Sequence, residues 1–144
     1  MENISFALDI QDGWPPVAAE SLWCERTQGR FKLQSIPLFV RGLAWGDVIA
    51  ATPDAHTGQV ADYELVEASG HSVIWMLNPG KLEIDEFIAE LQALGCKVVS
   101  GLLGYEHYAI DVPPGADIGA LDGMISLWDE LGLAFAYAAW RHDD

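Results

Sequence analysis

The stretches HSVIWMLN (residues 71–78) and LEIDEFIAELQALG (residues 82–95) decide the fold that this sequence predicts. The first is a short, mostly apolar run, which is typical of a buried strand. The second places apolar side chains near the helical period and ends in a glycine, which is a common helix stop. These positions are Leu82, Phe87, Ile88, Leu91 and Leu94, with Gly95 as the stop. The pair predicts a strand followed by an amphipathic helix.

Residues 96–140 continue this alternation. The runs CKVVSGLLG (96–104) and YEHYAIDV (105–112) predict a hairpin, and ADIGALDGMISLWDELG (116–132) predicts a second helix that stops at Gly132. A last strand is predicted at LAFAYAAW (133–140). The resulting order is β-α-β-β-α-β, which is the pattern of a ferredoxin-like split sandwich. We therefore expect residues 71–141 to form a ferredoxin-like subdomain.

The part before this unit, residues 21–78, reads as mostly β. A hairpin is predicted in SLWCERTQGRFKLQSIP (21–37), a strand, a glycine break and a strand in PLFVRGLAWGDVIAA (37–51), and two more strands in ADYELVEASGHSVIWMLN (61–78). Short glycine-punctuated strands favour a bent antiparallel sheet or partial barrel. We expect an α+β fold in one compact domain over residues 1–144, in which both subdomains share the strand at 71–78.

Charge is the most distinctive property of the composition, with 22 Asp and Glu against 7 Lys and Arg and a formal net charge of −15. Such a chain should be repelled by nucleic acid and by anionic membranes, and it should attract a cationic partner. The same acidity would also serve only to keep a cytosolic protein soluble. Cys24 and Cys96 lie far apart without a CxxC motif. That usage, with no secretory signal and no apolar run of about 18 residues, predicts a cytoplasmic protein that does not span a membrane.

A search for chemistry finds no assembled active site. The sequence has no GxSxG motif, no phosphate-binding glycine loop and no histidine pair with metal-ligand spacing. His107 and Asp111 lie four residues apart, which places both on one face of a predicted strand and makes them the nearest approach to a metal-binding cluster. We favour the interpretation that this face is solvated. The terminal RHDD (141–144) resembles an ion site but is expected to fray. We predict no catalytic residue, no metal ligand and no cofactor, and hence no enzyme.

Asp47, in GLAWGDVIAAT (42–52), is the acid whose position most resembles a functional site. An Asp after a glycine accepts hydrogen bonds from the following backbone amides and closes a turn, and Gly46 supplies positive φ at a bend. We favour this architectural role over a catalytic one. A hydrolase using Asp47, or using Asp62 and Glu64 about 7 Å apart on one strand face, is the less favoured alternative.

The same residues resemble a bacterial family known only as a domain of unknown function. The shared features are a Trp in the first strand, the phrase I-P-x-F-x-x-G-x-x-x-G-D-x-V, with isoleucine in place of the last valine here, and a later S-G-x-S. The resemblance covers about residues 21–140. The matching positions are Trp23, Ile36, Pro37, Phe39, Gly42, Gly46, Asp47, Ile49, Ser69, Gly70 and Ser72. Some members of this family resemble immunity proteins for secreted toxins. The resemblance therefore implies a binding function, and the family has no known catalytic residues that could be assigned to positions in this sequence.

Together these features predict an acidic protein that neutralises a cognate toxin with a basic surface by binding it directly. Residues 42–80 contain no Lys or Arg, so the acids there are the expected binding surface, with an aromatic anchor from the Pro-containing segment before it. The predicted partner-binding residues are Trp14, Asp54, Asp62, Glu64 and Glu67. The alternative is a ligand-binding regulatory domain of the ferredoxin-like type.

Overall fold

The structure is a computed structural model that describes residues 1–101 and 106–142. It is a mixed α+β arrangement of two sheets and two helices. The first sheet contains β1 (Glu2–Ala7), β2 (Ala19–Thr27), β3 (Arg30–Leu33), β4 (Val48–Ala51), β5 (Gln59–Val60) and β6 (Tyr63–Glu67). The second part contains β7 (Ser72–Leu77), α1 (Asp85–Ala93), β8 (Lys97–Ser100), β9 (His107–Val112), α2 (Ile118–Leu131) and β10 (Ala134–Ala139).

The first sheet has the strand order β5-β1-β2-β3-β4-β6 and curls into a half-barrel. Neighbouring strands are antiparallel except for β1 and β5, which run parallel. Its interior is filled by every second side chain of the strands and by Val40 and Leu43 from the β3–β4 connection. The largest of the buried strand side chains are Phe6, Leu22, Phe31, Leu33 and Ile49. β1 is not predicted from the sequence, because only Ile4 and Phe6 alternate inward in this short run.

The second sheet has the order β10-β7-β9-β8 with all neighbours antiparallel. On one face of β7, Ile74 and Met76 pack against α1 and α2, while on the other face Val73 and Trp75 pack against Ala44 and its neighbours. Burial on both faces explains why this strand reads as a continuous apolar run. The strand predicted at residues 71–78 forms as β7. We expect it to be common to both subdomains, and its pairing partners, β9 and β10, both belong to the second sheet.

Residues 34–47 cross between the two sheets as an irregular segment, so the strand predicted within residues 37–41 is wrong. The physical reason is the side chain of Glu20, which is only 9% exposed. Its carboxylate accepts hydrogen bonds from the backbone N–H groups of Leu38, Phe39 and Val40 at 2.7, 2.9 and 2.9 Å. Donors bonded to a carboxylate cannot form a strand ladder, so Glu20 holds the chain in a non-strand path.

Both predicted helices form. α1 begins at Asp85, three residues after the predicted start, and Gly95 follows it with a φ of +89°. Asp117 caps α2 by accepting from the Ala120 N–H at 3.1 Å, and Gly132 ends the helix with a φ of +120°. Neither helix is long and apolar enough to cross a membrane. The predicted hairpin of residues 96–112 pairs as β8 and β9, and its residues 102–105 lie outside the described residues.

Replacing Glu20 with glutamine should lower the free energy of unfolding by about 3 kcal/mol, because a glutamine NH₂ would face at least one of the three backbone N–H donors. Urea denaturation measures this change. The control is Glu25→Gln, an exposed position of the same strand, which should leave the urea midpoint unchanged. Equal midpoints for Glu20→Gln and the parent protein would show that Glu20 does not hold the 34–47 segment.

Candidate functional site

Asp47 lies at the centre of a polar network between the two sheets and is 0% exposed. Its Oδ2 accepts from the Ala44 N–H at 2.8 Å, and its Oδ1 accepts from the Ser69 N–H at 2.9 Å. The guanidinium of Arg141 donates to Oδ2 at 3.0 Å and to the Gly42 carbonyl at 3.1 Å. Asp47 thus joins the β3–β4 connection, the β6–β7 connection and the C-terminal segment.

This geometry refines the turn-closing role predicted for Asp47. The turn is closed onto Ala44, three residues before Asp47, and not onto the amides that follow it. Gly46 has a φ of +86°, and a Cβ there would lie 3.0 Å from the Cβ of Ser69, so only glycine fits this bend. The terminal RHDD (141–144) is expected to fray, and its residues 143–144 lie outside the described residues. Arg141 is held in place, because its cation balances a buried carboxylate.

The hydroxyl of Ser69 is also committed to the framework. Its Oγ donates to the Trp45 carbonyl at 2.6 Å and accepts from the His71 N–H at 3.2 Å. A carbonyl oxygen only accepts, so the hydroxyl proton of Ser69 points at Trp45. Ser69 is therefore arranged to hold the β6–β7 connection and not to act as a nucleophile.

Ser72 and His142 form a second committed pair. The Nε2 of His142 donates to the Pro113 carbonyl at 2.8 Å, so in the neutral ring Nδ1 is an acceptor. The Ser72 hydroxyl, 2.6 Å from that Nδ1, donates to it and accepts from the Arg141 N–H at 2.7 Å. These bonds fix Arg141 and His142 beside Asp47.

His107 and Asp111 are both buried, at 2% and 1% exposure, so the solvated strand face expected for them is wrong. Their strand, β9, is an inner strand of the second sheet, and segment 34–47 covers the face on which they lie. Asp111 accepts from Nδ1 of His71 at 2.9 Å. Burial raises the pKa of the Asp111 carboxyl, and the nearby His71 partly offsets that rise.

His71 also lines an open cleft of about 420 Å³, together with Lys32, Trp45 and Glu67. Trp45 packs edge-on against His71 with ring centroids 5.4 Å apart, and the Lys97 ammonium lies 4.0 Å from the centre of the Trp45 ring. Across residues 1–101 and 106–142, no group of three or more His, Cys, Asp and Glu side chains is placed to hold a metal ion.

Three of the predicted partner-binding acids lie together. Asp54, Asp62 and Glu64 are exposed and line a shallow cleft of about 600 Å³ with Ala61 and Tyr63. All five residues of β6 are exposed, and among the described strands β6 is an edge of its sheet. Asp54 also closes a turn by accepting from the backbone N–H groups of residues 56 and 57. Glu67 lies at the other end of β6, in the cleft beside His71.

Trp14 lies near this acidic surface. It is half-buried against Phe39 and His107, with ring centroids 5.9 and 5.6 Å apart, and it lines a cleft of about 440 Å³. That cleft shares Ala61 and Tyr63 with the acidic cleft. The tertiary structure therefore brings Trp14 together with Asp54, Asp62 and Glu64 and leaves Glu67 apart.

Sequence reasoning missed the partners of Asp47. The G-D phrase and the later S-G-x-S were both noticed, and the structure joins them through the bond between Ser69 and Asp47. Nothing in the sequence indicates that Arg141 pairs with Asp47, because the two residues are 94 positions apart and Arg141 lies in a segment without periodicity. A buried acid among apolar residues does predict that a cation must lie nearby, although not which one.

Replacing Asp47 with asparagine should lower the free energy of unfolding by about 3 kcal/mol or more, because it leaves the Arg141 cation without its buried partner. Urea denaturation provides the measurement. Glu2→Gln is the matched control, because it removes an ion pair at the surface. The side chains of Glu2 and its partner Arg26 are 43% and 55% exposed, so this change should leave the free energy of unfolding unchanged. An Asp47→Asn protein that is as stable as its parent would refute the architectural role.

The thiols of Cys24 and Cys96 should be unreactive in the folded protein. Burial, and secondarily a nearby carboxylate, raises the pKa of each to about 11, so the thiolate is scarce at pH 8. Iodoacetamide at pH 8 should leave the mass of the folded chain unchanged and add two labels in urea. Rapid labelling of the folded chain would contradict the buried placement of these residues.

Comparison with known proteins gives a family and a fold. The family model described as "Domain of unknown function (DUF4265)" matches residues 20–133. A solved structure, described as "Novel crystal structure of a hypothetical protein from Neisseria gonorrhoeae", superposes with a TM-score of 0.78 at 21% identity and covers 99% of both chains. No curated protein matches the chain. Since the family model spans most of the sequence, the chain belongs to the DUF4265 family of domains of unknown function.

Proposed function

We propose that this protein is a cytoplasmic immunity protein that binds a cognate bacterial toxin and occludes the toxin's active site. The observation that carries the proposal is one surface on which an aromatic cleft and an acidic edge strand adjoin. Trp14 lines the aromatic part, Asp54, Asp62 and Glu64 line the acidic part, and Tyr63 belongs to both.

The acidic part of this surface selects for a cationic partner. Asp62 and Glu64 are exposed at the edge of the half-barrel, in a stretch, residues 42–80, that has no Lys or Arg. A second copy of this chain pairing at β6 would place like charges against one another, which is unfavourable. A toxin with a basic cleft would instead be attracted, and the attraction would mainly raise the association rate.

The aromatic part supplies the affinity. Affinity in protein interfaces concentrates in a few aromatic or Arg side chains near the centre, which charged residues surround. In the proposed interface Trp14 and Tyr63 take this role, and the Tyr63 hydroxyl is already oriented by a 3.0 Å bond to the Arg41 carbonyl. An interface of ordinary size, about 1,600 Å² in total, would extend over both clefts.

We further propose that residues 71–141 form a ferredoxin-like sandwich. The element order β7-α1-β8-β9-α2-β10 and the antiparallel strand order β10-β7-β9-β8 support this assignment. The alternative of a regulatory domain that dimerises through its sheet is less favoured, because helices cover one face of this sheet and segment 34–47 packs on the other. The committed hydroxyls of Ser69 and Ser72 favour binding over catalysis.

The test is co-expression with the product of the adjacent gene, followed by co-purification at low and high salt. The binding protein should rescue growth from the toxin, and high salt should slow association. The double variant Asp62→Lys/Glu64→Lys should slow association about ten-fold. Its control is Glu86→Lys/Glu90→Lys, the same charge change at exposed positions of α1, which should have little effect. No rescue from, and no binding to, any neighbouring toxin would refute the proposal.

A further inference from the structure

One ring nitrogen of His107 is buried without a hydrogen-bond partner among residues 1–101 and 106–142. The Nε2 of this histidine lies 2.7 Å from the Leu38 carbonyl, which can only accept, so Nε2 carries the proton. Burial lowers the pKa of His107 more than the bond to Leu38 raises it, which favours the neutral ring. Nδ1 is then an acceptor, and it has no hydrogen-bond partner among the described residues. A buried acceptor without a donor is costly and calls for a physical explanation.

His107 lines a small cavity between β7, β10 and the N-terminal segment, with a volume of about 180 Å³. The cavity exists because β10 places Ala134 opposite Leu77 and Ala136 opposite Trp75, so that small side chains face large ones. Its walls include Trp14, Trp75, Leu77, Ala134 and Ala136. A cavity of about 150 Å³ is enough for a benzene ring. The volume therefore suits a single aromatic group.

The surroundings of His107 are aromatic. Phe39 stacks on the imidazole with centroids 5.0 Å apart and planes 4° apart. Trp14 and Trp75 approach the imidazole at 5.6 and 6.0 Å. Arg41 lines the same cavity, and its guanidinium lies 5.0 Å from the centre of the Trp75 ring. Rings pack favourably against the edges and faces of other rings, so the rings of Trp14, Trp75 and His107 that line the cavity favour a flat aromatic occupant.

We propose that this cavity binds an aromatic ring that carries one hydrogen-bond donor, a phenol or an indole, whose O–H or N–H bonds to Nδ1 of His107. Trp14, on the irregular connection between β1 and β2, lines one side of this cavity, and Trp75, in an inner strand, lines another. The proposal does not depend on a toxin. A free small molecule and the Tyr or Trp side chain of a protein partner both present this chemistry.

The decisive experiment compares matched ligands on the full chain by calorimetry. Indole and 1-methylindole differ in the N–H donor and in one methyl group, and phenol and anisole differ in the same way at the O–H donor. The size controls are 3-methylindole and 4-methylphenol, which add a methyl group but keep the donor and should bind more tightly than 1-methylindole and anisole. Indole and phenol should bind at least ten-fold more tightly than their methylated counterparts. Indole should also shift the ¹⁵N resonance of His107 Nδ1, and 1-methylindole should not. Equal affinities within each pair, or no binding of any of the four rings, would overturn the proposal.

Variants of the cavity test its location. Ala136→Leu and, as a second choice, Ala134→Leu fill the space and should abolish indole binding. Ala120→Leu, at an exposed position of α2, is the control and should bind indole like the parent. His107→Phe keeps a ring but removes the acceptor, so indole and 1-methylindole should bind it equally weakly. Indole binding that survives in folded forms of both cavity-filling variants would place the ligand elsewhere and refute the site.

Two further ligands distinguish the source of the ring. N-acetyltryptophanamide and N-acetyltyrosinamide carry the same donors on a peptide-like backbone. Binding of these amides as tight as that of indole and phenol assigns the cavity to a partner's side chain. Binding of indole or phenol at least ten-fold tighter than that of the amides assigns it to a free small molecule. Both results require the donor preference measured above.

Discussion

The ion pair between Asp47 and Arg141 is the interaction on which the arrangement of the two sheets depends. A carboxylate that is 0% exposed is unfavourable unless charge and hydrogen bonds compensate it. Here the compensation comes from three separate places: the amide of Ala44, the amide of Ser69 and the guanidinium of Arg141. Each of these groups must be in position at once. The acid therefore fixes the chain end, the β6–β7 connection and the β3–β4 connection relative to one another.

Segment 34–47 is held between the sheets by side chains from both of them. Glu20 of the first sheet binds its backbone N–H groups, while Trp75 and His107 of the second sheet donate to the carbonyls of Pro37 and Leu38 at 3.0 and 2.7 Å. An irregular segment can be buried only when such partners satisfy its polar groups. Polar residues that would suggest an active site in isolation are thus part of the framework that joins the two halves.

More than half of the few cations take part in contacts within the fold. The chain has seven Lys and Arg, and three of them lie over aromatic rings: Arg26 over Phe31, Arg41 over Trp75 and Lys97 over Trp45. A fourth, Arg141, is bonded to the buried Asp47. These four cations stabilise local packing. The stretch that contains the acids of β6, residues 42–80, has no Lys or Arg of its own.

The sequence by itself determined the local features: the α+β class, both helices with their glycine ends, and the hairpin predicted within residues 21–37, which forms as β2 and β3. These follow from periodicity and turn chemistry within about 15 residues, which local physics decides. Only the tertiary structure decided that residues 37–41 are not a strand, that Arg141 is anchored and that His107 and Asp111 are buried. In each case the cause is a partner distant in the chain, Glu20, Asp47 or segment 34–47, and no local pattern records which distant groups will meet.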